Sequence, residues 1–430
     1  LFSKLSIDKS KKYDFFITNI VSYSKNGHPG FLRTDNKGIS YRQSERYSNY
    51  NQIHFTYKHN DNYYNKNAIS INNFYTFYSN LDSAPDDKKN IPETIYKDLS
   101  INYRTESQFK YNNNILILSG FDTGFETSKA TLIQASQPQQ SFFGPFLQYY
   151  YTKNKFEMRS GIRYDLRIVN SGEQNNILFF QSLSPKFNFS YIFSSNYKLN
   201  FGINRAFRAP SLSELFLSHE LYYGLVVRGN QNLKSENLTA YEIGFDIKKE
   251  KFKLKNNVFY NQYSNMIDFI YSVPAKANNR KNVIGYGLEH SSTYTNKLFS
   301  FGLNYTFLKM DNIDDDVPSI YRPKHKWSTF FSFNLNQKFS FKLTSKYQSE
   351  QNYQDFLAEG SLGDDLVIDF PIKTLDPLFL MGLELDLLTL PIFDIQFKIE
   401  NVFNNDYKLI QDYPMPKRNF LINLKYRIKN

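Results

Sequence analysis

The chain has 430 residues with 41 Phe, 34 Tyr, a single Trp, no Cys and a formal net charge of +11. The absence of Cys excludes a disulfide framework, Cys-ligated zinc and thiol catalysis. The aromatic enrichment favours strands, and no run of about 18 apolar residues lacks a charge, which excludes a membrane-spanning helix. It does not exclude a membrane, because every second residue of a transmembrane barrel faces a polar interior and keeps hydropathy low. The basic residues are spread over the whole length, many in short turns such as Lys248-Lys249-Glu250-Lys251. A nucleic-acid surface gathers them in one patch, so no nucleic-acid partner is expected.

Taken in order, the chain opens on a short strand, Leu1 to Ile7, and period-two alternation then recurs almost to the end. Phe187, Phe189, Tyr191 and Phe193 alternate with Asn188, Ser190 and Ile192; Phe299, Phe301, Leu303, Tyr305 and Phe307 alternate with Ser300, Gly302, Asn304 and Thr306. Leu378 to Leu388 also reads as a strand, with Leu383, Leu385 and Leu387 against Glu384 and Asp386. Short connections are read near Tyr151–Lys155, Ser194–Asn196, Lys248–Lys251, Thr295–Lys297, Asn336–Lys338 and Thr389–Pro391. Between them lie long ones, near Lys25–Tyr50, Asn80–Thr94, Gly124–Gln140, Val169–Gln181, Phe207–Asn237, Pro274–Asn282, Met310–Lys324, Ser349–Asp376 and Asn404–Lys417. Strict alternation of short and long connections is the pattern of an outer-membrane barrel, with short turns at one end and external loops at the other. The expected fold is all-β, an antiparallel transmembrane barrel of about 19 strands occupying residues 1–430 as one domain.

Two motifs sharpen this reading. The strand Tyr197–Ala206 runs into Asn204-Arg205-Ala206-Phe207-Arg208-Ala209-Pro210-Ser211-Leu212-Ser213-Glu214-Leu215-Phe216, where Pro210 should end regular pairing. About 20 residues later comes Gly229-Asn230-Gln231-Asn232-Leu233-Lys234-Ser235-Glu236, followed by another alternating strand. Near the C-terminus stand Ile399-Glu400-Asn401-Val402-Phe403-Asn404-Asn405-Asp406-Tyr407 and Tyr413-Pro414-Met415-Pro416-Lys417-Arg418-Asn419-Phe420. The closing strand sets Phe420, Ile422, Leu424, Tyr426 and Ile428 on one face.

In order and spacing these segments resemble the TonB-dependent outer-membrane receptors of the siderophore and haem type. The likeness is sharp over about 80 residues and architectural over the rest. Two positions depart from the family pattern: Lys417 stands where Gly is usual, and Ile428, followed by Lys429-Asn430, stands where a terminal aromatic is usual. The resemblance implies a 22-stranded barrel whose plug and first few strands are missing at the N-terminus here. A signal peptide is also expected of such a protein; the sequence begins Leu1-Phe2-Ser3-Lys4 without Met or that pattern, so the signal is expected to have been removed or the sequence to be a fragment. It further implies active uptake of a ferric siderophore or haem, energised through TonB–ExbB–ExbD by way of the plug, in a monomer embedded in the lipid of the bacterial outer membrane. The rival readings are a passive porin-like channel and an outer-membrane enzyme or adhesin built on a barrel.

Candidate residues fall in the external loops. His219 is a candidate haem-iron ligand by the resemblance, or an ordinary exposed loop His. Arg208 suits an anionic ligand, or pairs with Glu214 or Glu236 to hold its loop. Tyr222, Tyr223 and Tyr321 either grip a flat ligand or belong to an aromatic girdle. Phe207, Pro210, Glu214, Asn230, Asn232 and Glu236 are read as loop-structuring. Asp311, Asp314, Asp315 and Asp316 form an acidic loop without EF-hand spacing. The six His make no His-Glu-x-x-His pair, and no Gly-x-Ser-x-Gly elbow or phosphate-binding Gly-rich loop occurs. No enzyme activity, cofactor or metal site of its own is expected.

Overall fold

The computed structural model describes residues 2–9, 12–28, 42–80, 94–131, 137–172, 176–220, 226–270, 272–273, 275–314, 318–336, 339–355, 361–362, 368–387, 393–411 and 413–426. Nineteen wall strands follow one another: β1 (Phe2–Lys9), β2 (Tyr13–His28), β3 (Arg42–Lys58), β4 (Tyr63–Asn80), β5 (Thr94–Lys110), β6 (Ile115–Ala130) and β7 (Gln139–Lys153). Next come β8 (Phe156–Asn170), β9 (Ile177–Ser194), β10 (Tyr197–Arg208), β11 (Glu236–Lys248), β12 (Phe252–Ile270) and β13 (Ala275–Thr295). The set closes with β14 (Phe299–Asn312), β15 (His325–Asn336), β16 (Phe339–Gln348), β17 (Leu378–Leu387), β18 (Phe393–Glu400) and β19 (Asn419–Tyr426). Each pairs antiparallel with the next, so the sheet is one long meander. Among the described residues β1 pairs only with β2 and β19 only with β18, leaving the sheet with two edges rather than a closed seam.

The alternation of the sequence becomes two unlike faces. On β10, Leu199, Phe201 and Ile203 are exposed on one side. On the other, Lys198, Asn200, Gly202 and Asn204 join a polar lattice. Asn200 donates to Asp246 at 3.1 Å and accepts from the Ser190 hydroxyl at 2.8 Å, and Asn188 donates to Asn204 at 3.1 Å. The apolar face is thus the exposed one and the polar face is cross-linked, the reverse of a water-soluble sheet. Aromatic rings mark both ends of the apolar face. Tyr13 stacks on Tyr57 at 4.9 Å and Tyr23 meets Tyr47 at 4.7 Å. Ten residues along a tilted strand separate Tyr13 from Tyr23, roughly the height of the apolar band of an outer-membrane barrel, about 25 Å. Polar groups that interrupt this face bond one another: Asn19 donates to Asn49 and Asn51, and His290 bonds Asn256 and Ser292.

On the polar face large rings stand against glycines directly across the pair. Phe146 stands across from Gly120 and Phe330 across from Gly302; a methyl at Gly302 would overlap the Phe330 ring, and one at Gly120 would meet the Thr105 backbone carbonyl as well as the Phe146 ring.

Because each strand pairs with the next, alternate connections emerge at opposite ends. One end carries the short ones. Three of these use the same device: the side-chain oxygens of Asn60, Asn112 and Asn296 each accept the backbone N–H groups two and three residues on. The other end carries the long ones, with strands reaching further than the sequence suggested, to His28 and from Arg42. The sharpest correction falls at Pro274–Asn282, read as a loop. Only four residues separate β12 from β13, whose 19- and 21-residue strands continue as a hairpin above the neighbouring strand ends. The closing strand is described as far as Tyr426, so Ile428 lies outside the described residues.

Candidate functional site

At the end that carries the long connections, the described parts of the 209–235 segment, 209–220 and 226–235, pack on one another. The segment opens on the five-residue helix α1 (Leu212–Phe216). Ser211 caps it: the Ser211 hydroxyl accepts from the Glu214 N–H at 3.2 Å and the Glu214 carboxylate accepts from the Ser211 N–H at 2.7 Å. The helix exists to bury two side chains. Leu215 and Phe216 join Val169, Phe180, Leu233 and Ala277 in one buried cluster, with Phe207, Ala209 and Leu212 packed against it. Pro210, fully buried, ends the β10 pairing at Arg208 as its missing N–H requires.

Arg208 is the hub. Its Nη1 donates to both oxygens of Glu214, at 3.0 and 2.9 Å, and its Nη2 donates to Glu236 at 3.2 Å. Glu236 stands directly across the pair from Arg208 and also accepts the Ile267 N–H at 2.9 Å. One guanidinium therefore ties β10, α1, β11 and β12 together. Arg205, exposed on the face of Ile203, marks the end of the apolar band, so Arg208 lies beyond it. Partial burial alone would lower the Arg208 pKa; the hydrogen bonds and charge of Glu214 and Glu236 outweigh it and hold it above its ordinary value.

The second motif docks on this hub. The Gly229 N–H donates to Leu217 O at 2.6 Å and the Asn230 N–H to Glu214 O at 2.8 Å. This approach requires Gly229: a Cβ there would sit 2.5 Å from backbone atoms of Leu215 and Phe216. Asn230 uses both ends of its amide, accepting the Asn232 N–H at 3.0 Å and donating to Ala277 O at 2.9 Å. Asn279 was not singled out from the sequence, yet it accepts the Lys234 N–H at 2.7 Å and donates to Lys234 O and Asn265 O. Its signal was faint, an Asn run in a stretch read as loop.

The remaining sequence candidates scatter. Residue 219 stands opposite Val227 in a two-stranded turn of Ser218–Glu220 with Val226–Arg228, and the side chain of His219 lies outside the described part. Tyr222 and Tyr223 lie outside the described residues altogether. Tyr321 belongs to the connection after β14, with φ 54°, and its N–H donates to Asn352 O at 2.7 Å. Asp314 accepts from the Asn282 backbone and side chain, Asp311 pairs with Lys309 at 3.0 Å, and Asp315 and Asp316 lie outside the described residues. Among the described residues no group of three His, Asp or Glu could hold a metal ion.

Described pieces of neighbouring connections pair with one another. Val226–Arg228 runs parallel to the start of β13, Ser272–Val273 pairs with Ile368–Asp369, and the Gln351 amide donates to Leu409 O at 3.1 Å. At the start of the last connection, Asn401 and Asn404 take left-handed backbone (φ 51° and 58°), and Asn401 bonds Asn405 through both ends of its amide. Lys417, in the place usual for Gly, needs no positive φ and pairs with Asp406 at 2.9 Å.

A meander that is apolar on one face, polar and cross-linked on the other, and lined with aromatics at the ends of its apolar band is the wall of a transmembrane β-barrel. The chain belongs to the TonB-dependent receptors: the family described as "TonB dependent receptor-like, beta-barrel" matches residues 7–385. This is a family of outer-membrane transport receptors. The chain is 22% identical over 293 residues to the ferric enterobactin receptor PirA of Pseudomonas aeruginosa, a match covering 58% of this chain and 39% of that protein. Two solved structures share the fold. The FrpB iron transporter of Neisseria meningitidis has TM-score 0.76 at 12% identity, covering 98% of this chain and 70% of that one. The copper transporter OprC has TM-score 0.80 at 13% identity with the same coverage. The chain thus spans about two fifths of the curated relative and 70% of each solved neighbour. Among the described residues no helix is long and apolar enough to cross a membrane, which says nothing of crossing by strands.

Proposed function

We propose that residues 1–430 are one barrel domain of a bacterial outer-membrane receptor that takes up an iron chelate, a ferric siderophore or haem, into the periplasm. Energy reaches it through TonB–ExbB–ExbD, and the receptor works as a monomer in outer-membrane lipid. The observation that carries this reading is the family match over residues 7–385. The likeness to a ferric enterobactin receptor supports iron as the cargo. The polar inner face offers a hydrated passage, and the described connections around Arg208 offer part of a receptor mouth. In this reading Arg208, held by two carboxylates, shapes the mouth together with Phe207, Pro210, Glu214, Asn230, Asn232 and Glu236. His219, Tyr222, Tyr223 and Tyr321 are the ligand-contact candidates.

The test is radioiron uptake by cells lacking other receptors and carrying the full-length gene, with and without TonB. Uptake that disappears with TonB is the expected result; TonB-independent uptake of the same rate would replace the receptor with a passive channel. Titrating haem into outer-membrane vesicles then separates the two cargoes. A red-shifted Soret band lost in His219→Ala assigns haem, and an unchanged spectrum leaves ferric siderophores.

A further inference from the structure

The inner face of β8–β11 holds a recess of about 410 Å³ bordered by Glu157, Arg159, Lys186, Asn188, Lys198 and Glu242. Some cations on this face are matched by acids. Arg104 meets Glu106 at 3.1 Å and Asp122 at 3.2 Å, Arg163 meets Asp122 at 2.6 Å and Asp165 at 2.8 Å, and Lys198 meets Glu157 at 2.7 Å. Arg159 and Lys186 are not: among the described residues neither makes an ion pair, and they are the two such cations that border one recess. Register sets Asn188 across from Arg159 and Gly161 across from Lys186, which makes the two cations diagonal neighbours, roughly 7–8 Å apart at the backbone. The Lys186 stem lies over Gly161, whose Cβ, if present, would be 2.9 Å from Lys186 Cε. The Arg159 guanidinium sits over the Tyr150 ring, 5.7 Å from its centre. On the far side Lys186 faces Asn204 and Asn188 faces Gly202, so no acid borders either cation across a strand pair. Glu157 is taken by Lys198, and Glu242 stands beyond Gly202, which has no side chain to bridge the gap. Two like charges side by side repel unless an anion lies between them.

We propose that Arg159 and Lys186 form an oxyanion subsite inside the lumen that binds a carboxylate, with the Asn188 and Asn200 amides beside it. The proposal rests on the reading of this face as a hydrated lumen. The carboxylate comes either from a lumen-filling part of the same protein or from an anionic chelate in transit, and one experiment separates the sources. Full-length receptor in outer-membrane vesicles is treated with a water-soluble carbodiimide, with and without citrate, and Lys186 is mapped by mass spectrometry. The expected product is an amide between Lys186 Nζ and a carboxylate, formed with loss of water. A cross-linked peptide from elsewhere in the protein assigns the internal source, and a citrate adduct assigns the passing anion. Arg159→Gln, checked as folded by heat-modifiable migration, should cut the yield about tenfold, the worth of one charge-assisted hydrogen bond. An amide to Glu157 or Glu242, or an unchanged yield in Arg159→Gln, overturns the subsite. If Lys186 takes a water-soluble amine label but no carboxylate, the subsite falls and the lumen stands. If it takes neither, the lumen reading itself falls.

Discussion

Replacing Arg208 by Gln should loosen the mouth without unfolding the wall. The side chain donates three charge-assisted hydrogen bonds to Glu214 and Glu236. Such bonds contribute about 1.5–3 kcal/mol when shielded and exposed pairs about 0–1 kcal/mol. Arg208 is 42% exposed, while Glu214 and Glu236 are 14% and 18% exposed, so the arrangement lies between these limits. Removing the cation leaves two half-buried carboxylates facing each other, which is the larger part of the loss. A cost of about 2 kcal/mol, or about 30-fold in the local opening equilibrium, follows. Amide hydrogen exchange on the full-length receptor should show it in peptides covering residues 211–217 and 229–236, with the β15–β17 strands unchanged. Adding Glu214→Gln and Glu236→Gln to the variant should restore most of the protection, because the repulsion is gone and Gln at position 214 still closes the capping box. An acceleration below about threefold, or no recovery in the triple variant, would refute the hub.

Other changes probe the same architecture. Gly229→Ala should lift the 229–236 segment off α1, because the colliding atoms are backbone and cannot give; protease clipping of whole cells within residues 209–235, with the barrel still heat-modifiable, is the expected outcome. Leu215→Ala, at a side chain 1% exposed, should cost about 3 kcal/mol and speed exchange in α1 and around Leu233. Asn279→Ala removes three hydrogen bonds to the backbone of Lys234 and Asn265, and should expose the Lys234 amide to exchange while leaving α1 capped. Ile243→Lys, on the apolar face at 56% exposure, should cost about 2–4 kcal/mol and deplete the folded band in membranes. Glu242→Gln, next to it but on the polar face, should not.

The wall was legible because a lipid-facing strand must alternate, and alternation survives in any sequence window. The end of β10 could be placed from Pro210 alone. The β12–β13 extension escaped notice for the complementary reason. Above the rim neither face of the hairpin meets lipid, so Asn278, Asn279 and Asn282 can occupy strand positions and spend their amides on neighbouring segments. The turns at Asn60 and Asn112 carry no Gly or Pro to announce them, and their signal is the Asn two and three residues before the N–H groups it accepts. At the mouth, charge alone suggested that Arg208 would meet Glu214 or Glu236. That it meets both depends on the register that sets Arg208 across from Glu236, and register is not written in either motif.

The rings across from Gly120 and Gly302 have a consequence for the clearance in front of the polar face. Where an aromatic side chain settles into the notch a glycine leaves in the next strand, it adds less to the thickness of the wall. A methyl at Gly302 would overlap the Phe330 ring and drive it out of its notch, whereas at Gly120 the methyl would first meet the Thr105 carbonyl. The first glycine of this pair therefore sets how closely neighbouring main chains approach, and the second how far a ring projects.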